Sequence, residues 1–217
     1  MNSLSNIEFA GNPDSRAPLV LLLDTSGSME GEPIAELNAG LQTLKADLLQ
    51  DETARRRVEI AVVTFGGDRA QEVHGFVTAE DWEPPTLVAS GVTPMGEALM
   101  LGLALVNERK AQYRQNGIAY YRPWLFMLTD GNPTDSIDAA SALLRDEELN
   151  NGAMFFSVLV QGADPEIAVS LSTRPAIKLR GLAFRELFQW LSASQKRVSA
   201  STIGAQVALP PINWNVV

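Results

Sequence analysis

The sequence predicts an α/β fold: one domain on a mostly parallel six-stranded sheet, with helices on both faces. Three observations predict it. Short apolar runs alternate along the chain with helical patterns, the signature of a sheet covered by its own crossovers. Several of those runs are apolar without interruption, as strands buried on both faces require. A single pair of neighbouring runs is close enough in sequence to form a hairpin.

The elements follow in order. Residues 18–24 (P-L-V-L-L-L-D) read as a buried strand. Residues 33–50 read as a helix opened by Pro33, with Ile34, Leu37, Leu41, Leu44 and Leu48 at helical spacing. Residues 58–65 are a strand that ends at a Gly66-Gly67 turn, and residues 71–78 return as its hairpin partner. A long loop over 79–93 is unusual enough to suggest function. Residues 94–115 are a long helix, with Met95, Met100, Leu101 and Leu105 expected in the core. A strand over 123–130 and a helix over 137–150 follow, with Gly152 as breaker. A strand over 154–160 leads to a short helix over 164–172 that starts at Asp164 and Pro165. A weak last strand over 176–182 precedes the final helix, 184–199, with Phe184, Leu187, Phe188 and Leu191 on one face. Right-handed crossovers favour the strand order 3-2-1-4-5-6, with the third strand an antiparallel edge. Domain limits are expected at 16–201, with an extension over 1–15 and an extended tail over 202–217.

Composition narrows the function. The chain has 217 residues, no cysteine and a formal net charge of −9. A thiol nucleophile, a zinc–thiolate site and a disulfide framework are thereby excluded. An acidic chain without a basic stripe argues against nucleic acid and anionic membrane surfaces. The first residues lack a basic and then apolar leader pattern, and no apolar run reaches spanning length. The expected setting is the cytoplasm, without membrane insertion.

The segment L-L-L-D-T-S-G-S-M-E-G at 21–31 carries the chemistry. An open parallel sheet binds ligands beyond the carboxyl ends of its strands, where the strand order reverses. The first strand delivers Asp24 there and the fourth delivers Asp130. Two bare carboxylates so placed repel, and a divalent cation resolves the conflict. Ser26 and Ser28 alternate around Gly27, so a tight turn aims both hydroxyls at one point. The long loop returns Thr93 just before the helix that Pro94 starts. Three hydroxyls and two carboxylates are an all-oxygen ligand set, which selects Mg2+, Mn2+ or Ca2+. Hydroxyls are weak ligands, so waters fill the remaining positions and one is open to a partner's carboxylate.

D-T-S-G-S resembles the D-x-S-x-S motif of von Willebrand factor A (vWA) domains, a Rossmann-like family. Thr93 and Asp130 stand where that family's metal-ion-dependent adhesion site (MIDAS) takes its threonine and second aspartate. The segment L-T-D-G-N-P-T-D strengthens the resemblance, as does the last helix, L-A-F-R-E-L-F-Q-W-L-S-A-S-Q-K-R-V-S, which resembles the end of bacterial TerY-like vWA proteins. The resemblance covers about residues 16–201. It implies a non-enzymatic, metal-dependent adaptor or scaffold in a tellurium-resistance or stress-response system. Its implied partners are a Ser/Thr kinase and a protein phosphatase.

Two other readings compete. Phosphohydrolases of haloacid-dehalogenase-like topology also place an aspartate after the first strand, but need a second two residues on, where this chain has Ser26. A P-loop and a nucleophile elbow are absent. The domain could instead be a phosphorylated regulator, with Thr25, Thr93 and Thr134 as acceptors near the crevice. Among side features, His74 is expected to be structural or solvent-exposed. Trp82 either covers the sheet's end, opposite the metal, or anchors a partner. Asp135 either caps the next helix or rims the crevice. Arg55–57 are expected in a solvated turn.

Overall fold

The computed structural model describes residues 9–160, 163–212 and 215–216. Strand β1 (Ala17–Asp24) leads through a 3-10 turn (Gly27–Met29) to α1 (Glu32–Leu49) and the short α2 (Glu52–Arg57). Strands β2 (Val58–Gly66) and β3 (Arg69–Thr78) form the hairpin. Helix α3 (Met95–Asn116), β4 (Trp124–Thr129), α4 (Asp138–Leu149), β5 (Met154–Leu159), α5 (Pro165–Leu171), β6 (Ile177–Lys178) and α6 (Phe184–Ala200) complete the alternation. The expected order 3-2-1-4-5-6 holds, with β3 antiparallel to β2 at one edge. The tail adds a two-residue β7 (Asn215–Val216), antiparallel to β6.

Alternation along β1 builds both layers. Leu19, Leu21 and Leu23 pack with α1 (Leu37, Leu41, Leu44, Leu48) and α6 (Phe184, Leu187, Phe188, Leu191). Val20 and Leu22 pack on the other face with Leu99, Leu103 and Val106 of α3 and Leu144 of α4. A strand whose every residue is buried must be apolar throughout, and β1 is, up to Asp24.

Four expectations change. Met100 is 42% exposed, because the buried stripe of α3 runs through Met95, Leu99, Leu103 and Val106, and Met100 falls a full 100° off it. Leu101 and Leu105 are half-buried at the margin of the core. Arg55–57 are helical: Asp51 accepts from the N–H groups of Thr53 and Ala54 and caps α2. The last strand shrinks to Ile177–Lys178, since Gly181 takes a positive φ and turns the chain into α6. Trp82 is buried in the core and donates to His74 Nε2 at 2.7 Å, so it covers the sheet and gives His74 its structural role.

The tail lies on its own domain. Val207, Leu209 and Ile212 pack against the α1–α6 layer, Trp190 Nε1 donates to Pro210 O, and Arg197 donates to Ala208 O. Residues 1–8 of the expected N-terminal extension lie outside the described residues. Among the described residues, no helix is long and apolar enough to cross a membrane.

Candidate metal centre

Strand β1 lies between β2 and β4, so the crevice beyond its carboxyl end is the point where strand order reverses. Asp24 sits there, fully buried. Its Oδ1 accepts the Ser26 N–H at 2.8 Å, which bends the chain off the strand. Its Oδ2 accepts the Thr129 hydroxyl at 2.6 Å. The 3-10 turn then aims the serines. Ser26 Oγ and Ser28 Oγ are 3.0 Å apart, and Ser28 Oγ donates to Asp130 Oδ1 at 2.7 Å. A run of hydrogen bonds, through the Ser26 N–H and then the two serine hydroxyls, thus bridges β1 to the end of β4.

Thr93 arrives on the long loop. Gly27 N–H donates to Gly91 O at 3.0 Å, and Ser90 N–H donates to Thr25 O at 2.8 Å, which staples the loop to the motif. The staple needs glycine: Gly91 has φ +70°, and a Cβ on it would stand 2.3 Å from Gly67 O. Thr93 also exchanges two bonds with Thr134, N–H to Oγ1 at 3.2 Å and O from N–H at 2.9 Å. A Cβ built on Gly131 would lie 3.4 Å from Thr93 Oγ1 and 3.7 Å from Ser28 Oγ, so both hydroxyls flank the residue after Asp130. Asp24, Ser26, Ser28 and Asp130 are linked by hydrogen bonds, and Thr93 lies beside them.

Burial pushes the Asp24 carboxyl above the usual aspartate range; the bonds from Ser26 and Thr129 pull it back, and the nearby charge of Asp130 pushes it further up. A cation would reverse that balance. The donor set suits a hard ion, since every convergent atom is oxygen. Among the described residues, no three His, Cys, Asp or Glu side chains gather as a metal cluster, so an ion here would depend on the hydroxyls as well as the two carboxylates.

Asp135 departs from expectation. It caps α3, not the next helix, accepting from Gly96 N–H at 2.9 Å and Glu97 N–H at 2.8 Å. It thus fixes the helix that follows Thr93. The contact is close enough that a Cβ on Gly96 would stand 2.1 Å from Ser136 O. Thr129 was not legible as a site residue, because a threonine near a strand end looks like any β-branched strand residue. Thr25 and Thr93 are buried, which makes them poor phosphate acceptors as folded.

Comparison with known proteins agrees with this fold. The family described as von Willebrand factor type A domain matches residues 19–186. Among solved structures, proximal thread matrix protein 1 from the mussel byssus superposes with TM-score 0.60 at 19% identity, over 86% of this chain and 47% of that one. The pilus adhesin SpaC from Lactobacillus rhamnosus GG gives TM-score 0.67 at 13% identity, over 84% of this chain and 31% of that one. The TFIIH p34 N-terminal domain gives 0.58 at 13% identity, over 83% and 98%. The chain thus spans less than half the length of the byssus protein and the adhesin. Comparison with curated protein sequences gives no significant match. With the family matched across most of its length, the chain belongs to the von Willebrand factor type A domain family.

Proposed function

We infer that this domain is a metal-dependent protein-interaction module, whose ion would be held by Asp24, Ser26, Ser28, Thr93 and Asp130 and completed by an acidic side chain of the partner. The observation that carries the inference is the run of hydrogen bonds laid across the crevice between β1 and β4: Asp24 accepts the Ser26 N–H, and the Ser26 hydroxyl meets the Ser28 hydroxyl, which donates to Asp130. It contains two carboxylates and no cationic side chain. Mg2+ fits best, with Mn2+ and Ca2+ as substitutes, because weak hydroxyl ligands leave positions that Mg2+ fills with water. When bound, the ion supplies a Lewis-acidic position for the partner's carboxylate; Thr129 and the Ser26 N–H hold Asp24 in place for it.

The phosphohydrolase alternative asks Asp24 to attack a phosphate. Both of its oxygens are instead engaged, and the position two residues on is Ser26. The TerY-like likeness of the last helix points to a tellurium-resistance or stress-response adaptor with a kinase and a phosphatase as partners. Co-purification from the native cell, with and without EDTA, tests those partners.

Calorimetric titration with MgCl2 tests the site itself. Saturable binding by the wild type, lost in Asp24→Ala with the fold intact, is the expected result. Equal affinity in Asp24→Ala would sink the assignment.

A further inference from the structure

The three consecutive arginines of α2 go to different places. Arg57 donates to Ser199 O of α6 at 2.8 Å. Arg56 pairs with Asp14 at 3.2 Å. Arg55 is half-buried, its Nε is shut from solvent, and among the described residues that Nε has no acceptor.

The Nη end of the same side chain is not shut off, and among the described residues it has no acceptor either. Arg55 lines a cavity of about 740 Å³ at the amino ends of the parallel strands, with Arg16, Arg56, Glu59, Phe76 and Val77. The other charges deep in the wall are committed, while Glu80 and Asp81 are exposed on the rim. Arg16 gives its Nε to Glu59 at 2.8 Å and its two other nitrogens to the carbonyls of Asp14 and Asn12. Glu59 is further held by Arg109 and Tyr113. Asp81, on the rim, accepts from Thr78. Arg16 and Arg56 each have a carboxylate partner, and Arg55 is the arginine of the wall that has none among the described residues. The volume lies in the range of small-molecule sites.

We propose that this cavity is a second binding site, which takes a small organic oxyanion on Arg55. The head group is a carboxylate or a phosphate monoester, which a guanidinium fork binds through two parallel bonds. The organic body packs on Phe76 and Val77. The exposed acids Glu80 and Asp81 on the rim favour ligands of low charge over polyanions. The site is separate from the metal centre: the eight residues of β1 span about 23 Å between them at strand rise.

Titration calorimetry in EDTA, with inorganic phosphate and succinate as separate probes, tests the proposal and tells the two head groups apart. One saturable site for either anion is expected, weakened about tenfold or more in Arg55→Gln, the loss expected for a charge-assisted pair. Asp24→Ala and the distant Arg185→Gln should bind as the wild type does. Thermal melting checks that Arg55→Gln folds. If it does not, the Arg55 Nε–H resonance of the wild type, followed during the same titration, gives the answer: a saturable shift supports the site, and no shift overturns it. No saturable binding by either anion, or binding that Arg55→Gln leaves intact, overturns it too.

Discussion

The two ends of the sheet handle buried charge in opposite ways. At the amino end, Glu59 is 1% exposed and surrounded by its own chain: Arg16, Arg109 and Tyr113 all donate to it. Burial, and then the Glu59 charge, raise the Tyr113 phenol well above its usual range, so it stays a donor. At the carboxyl end, Asp24 is just as buried, but its partners are a backbone N–H and hydroxyls, and its nearest charged neighbour is another carboxylate. The first end is closed by cations the chain supplies. The second has no cationic side chain bonded to it among the described residues. A buried ionic group completed internally belongs to the fold, while one left incomplete is a candidate binding site.

The comparison breaks most visibly at Glu59. Glu59→Ala removes the carboxylate that two buried guanidiniums share, and such losses cost about 3–5 kcal/mol. For a domain of this size, that lowers the melting temperature by about 10 °C. Mg2+ affinity, measured on the protein kept folded at low temperature, should be unchanged. A large loss of Mg2+ affinity would show that the two ends are coupled, and would end the contrast.

Asp24→Asn should act the other way. A carboxyl whose folded pKa is raised binds its proton more tightly folded than unfolded. The folded state therefore gains stability as pH falls through that raised value, and carries the full cost of ionisation above it. Removing the charge lifts that cost, so metal-free Asp24→Asn should melt no lower than the wild type at neutral pH. Its stability should also vary less with pH between the ordinary aspartate range and neutrality. The same variant should lose the stabilisation that Mg2+ gives the wild type, about 2.7 kcal/mol at a hundredfold excess over Kd. Melting curves across pH, with and without Mg2+, read both effects. A lower metal-free melting point at neutral pH would contradict the sign.

The carboxyl end was legible in the sequence because its chemistry is local. An apolar run that stops on aspartate, and hydroxyls two apart around a glycine, are visible without coordinates, and strand order then brings Asp130 alongside. The amino end was not legible: Arg16, Glu59, Arg109 and Tyr113 come from four elements, and nothing in their neighbours marks them. Asp135 shows the boundary between the two cases. Its capping chemistry was readable, but the helix it caps begins some 40 residues earlier, and only the fold brings that helix start to it. Arg55–57 were misjudged for a smaller reason, since Asp51 was present as a helix-capping signal and the flanking acids were read as solvent-facing.

Asp135→Ala should cost about 1 kcal/mol, the usual loss for a cap, because two N–H groups at the start of α3 lose their acceptor. Its expected effect on Mg2+ exceeds a plain capping loss, because the helix start fixes Thr93. Asp135→Asn keeps one acceptor and should recover part of both. A capping loss with unaltered Mg2+ affinity would make Asp135 purely structural.

Ser28→Ala should produce the smallest change in stability and divides the two ends most cleanly. Ser28 is exposed, and its hydroxyl bonds only Ser26 and Asp130, so water replaces it readily. Surface changes of this kind stay within about 0.5 kcal/mol. At the amino end, no residue of the Glu59 cluster can be removed so cheaply, because each is buried against the others. If the carboxyl end is a ligand site, Ser28→Ala should nonetheless weaken Mg2+ binding several-fold in calorimetry, since it removes one of three hydroxyls from a ligand set with little charge to spare. A melting curve like the wild type's, paired with a weakened Mg2+ isotherm, separates binding from folding in one residue. A wild-type Mg2+ isotherm would return the serine turn to the role of a hydrogen-bonded link between β1 and β4.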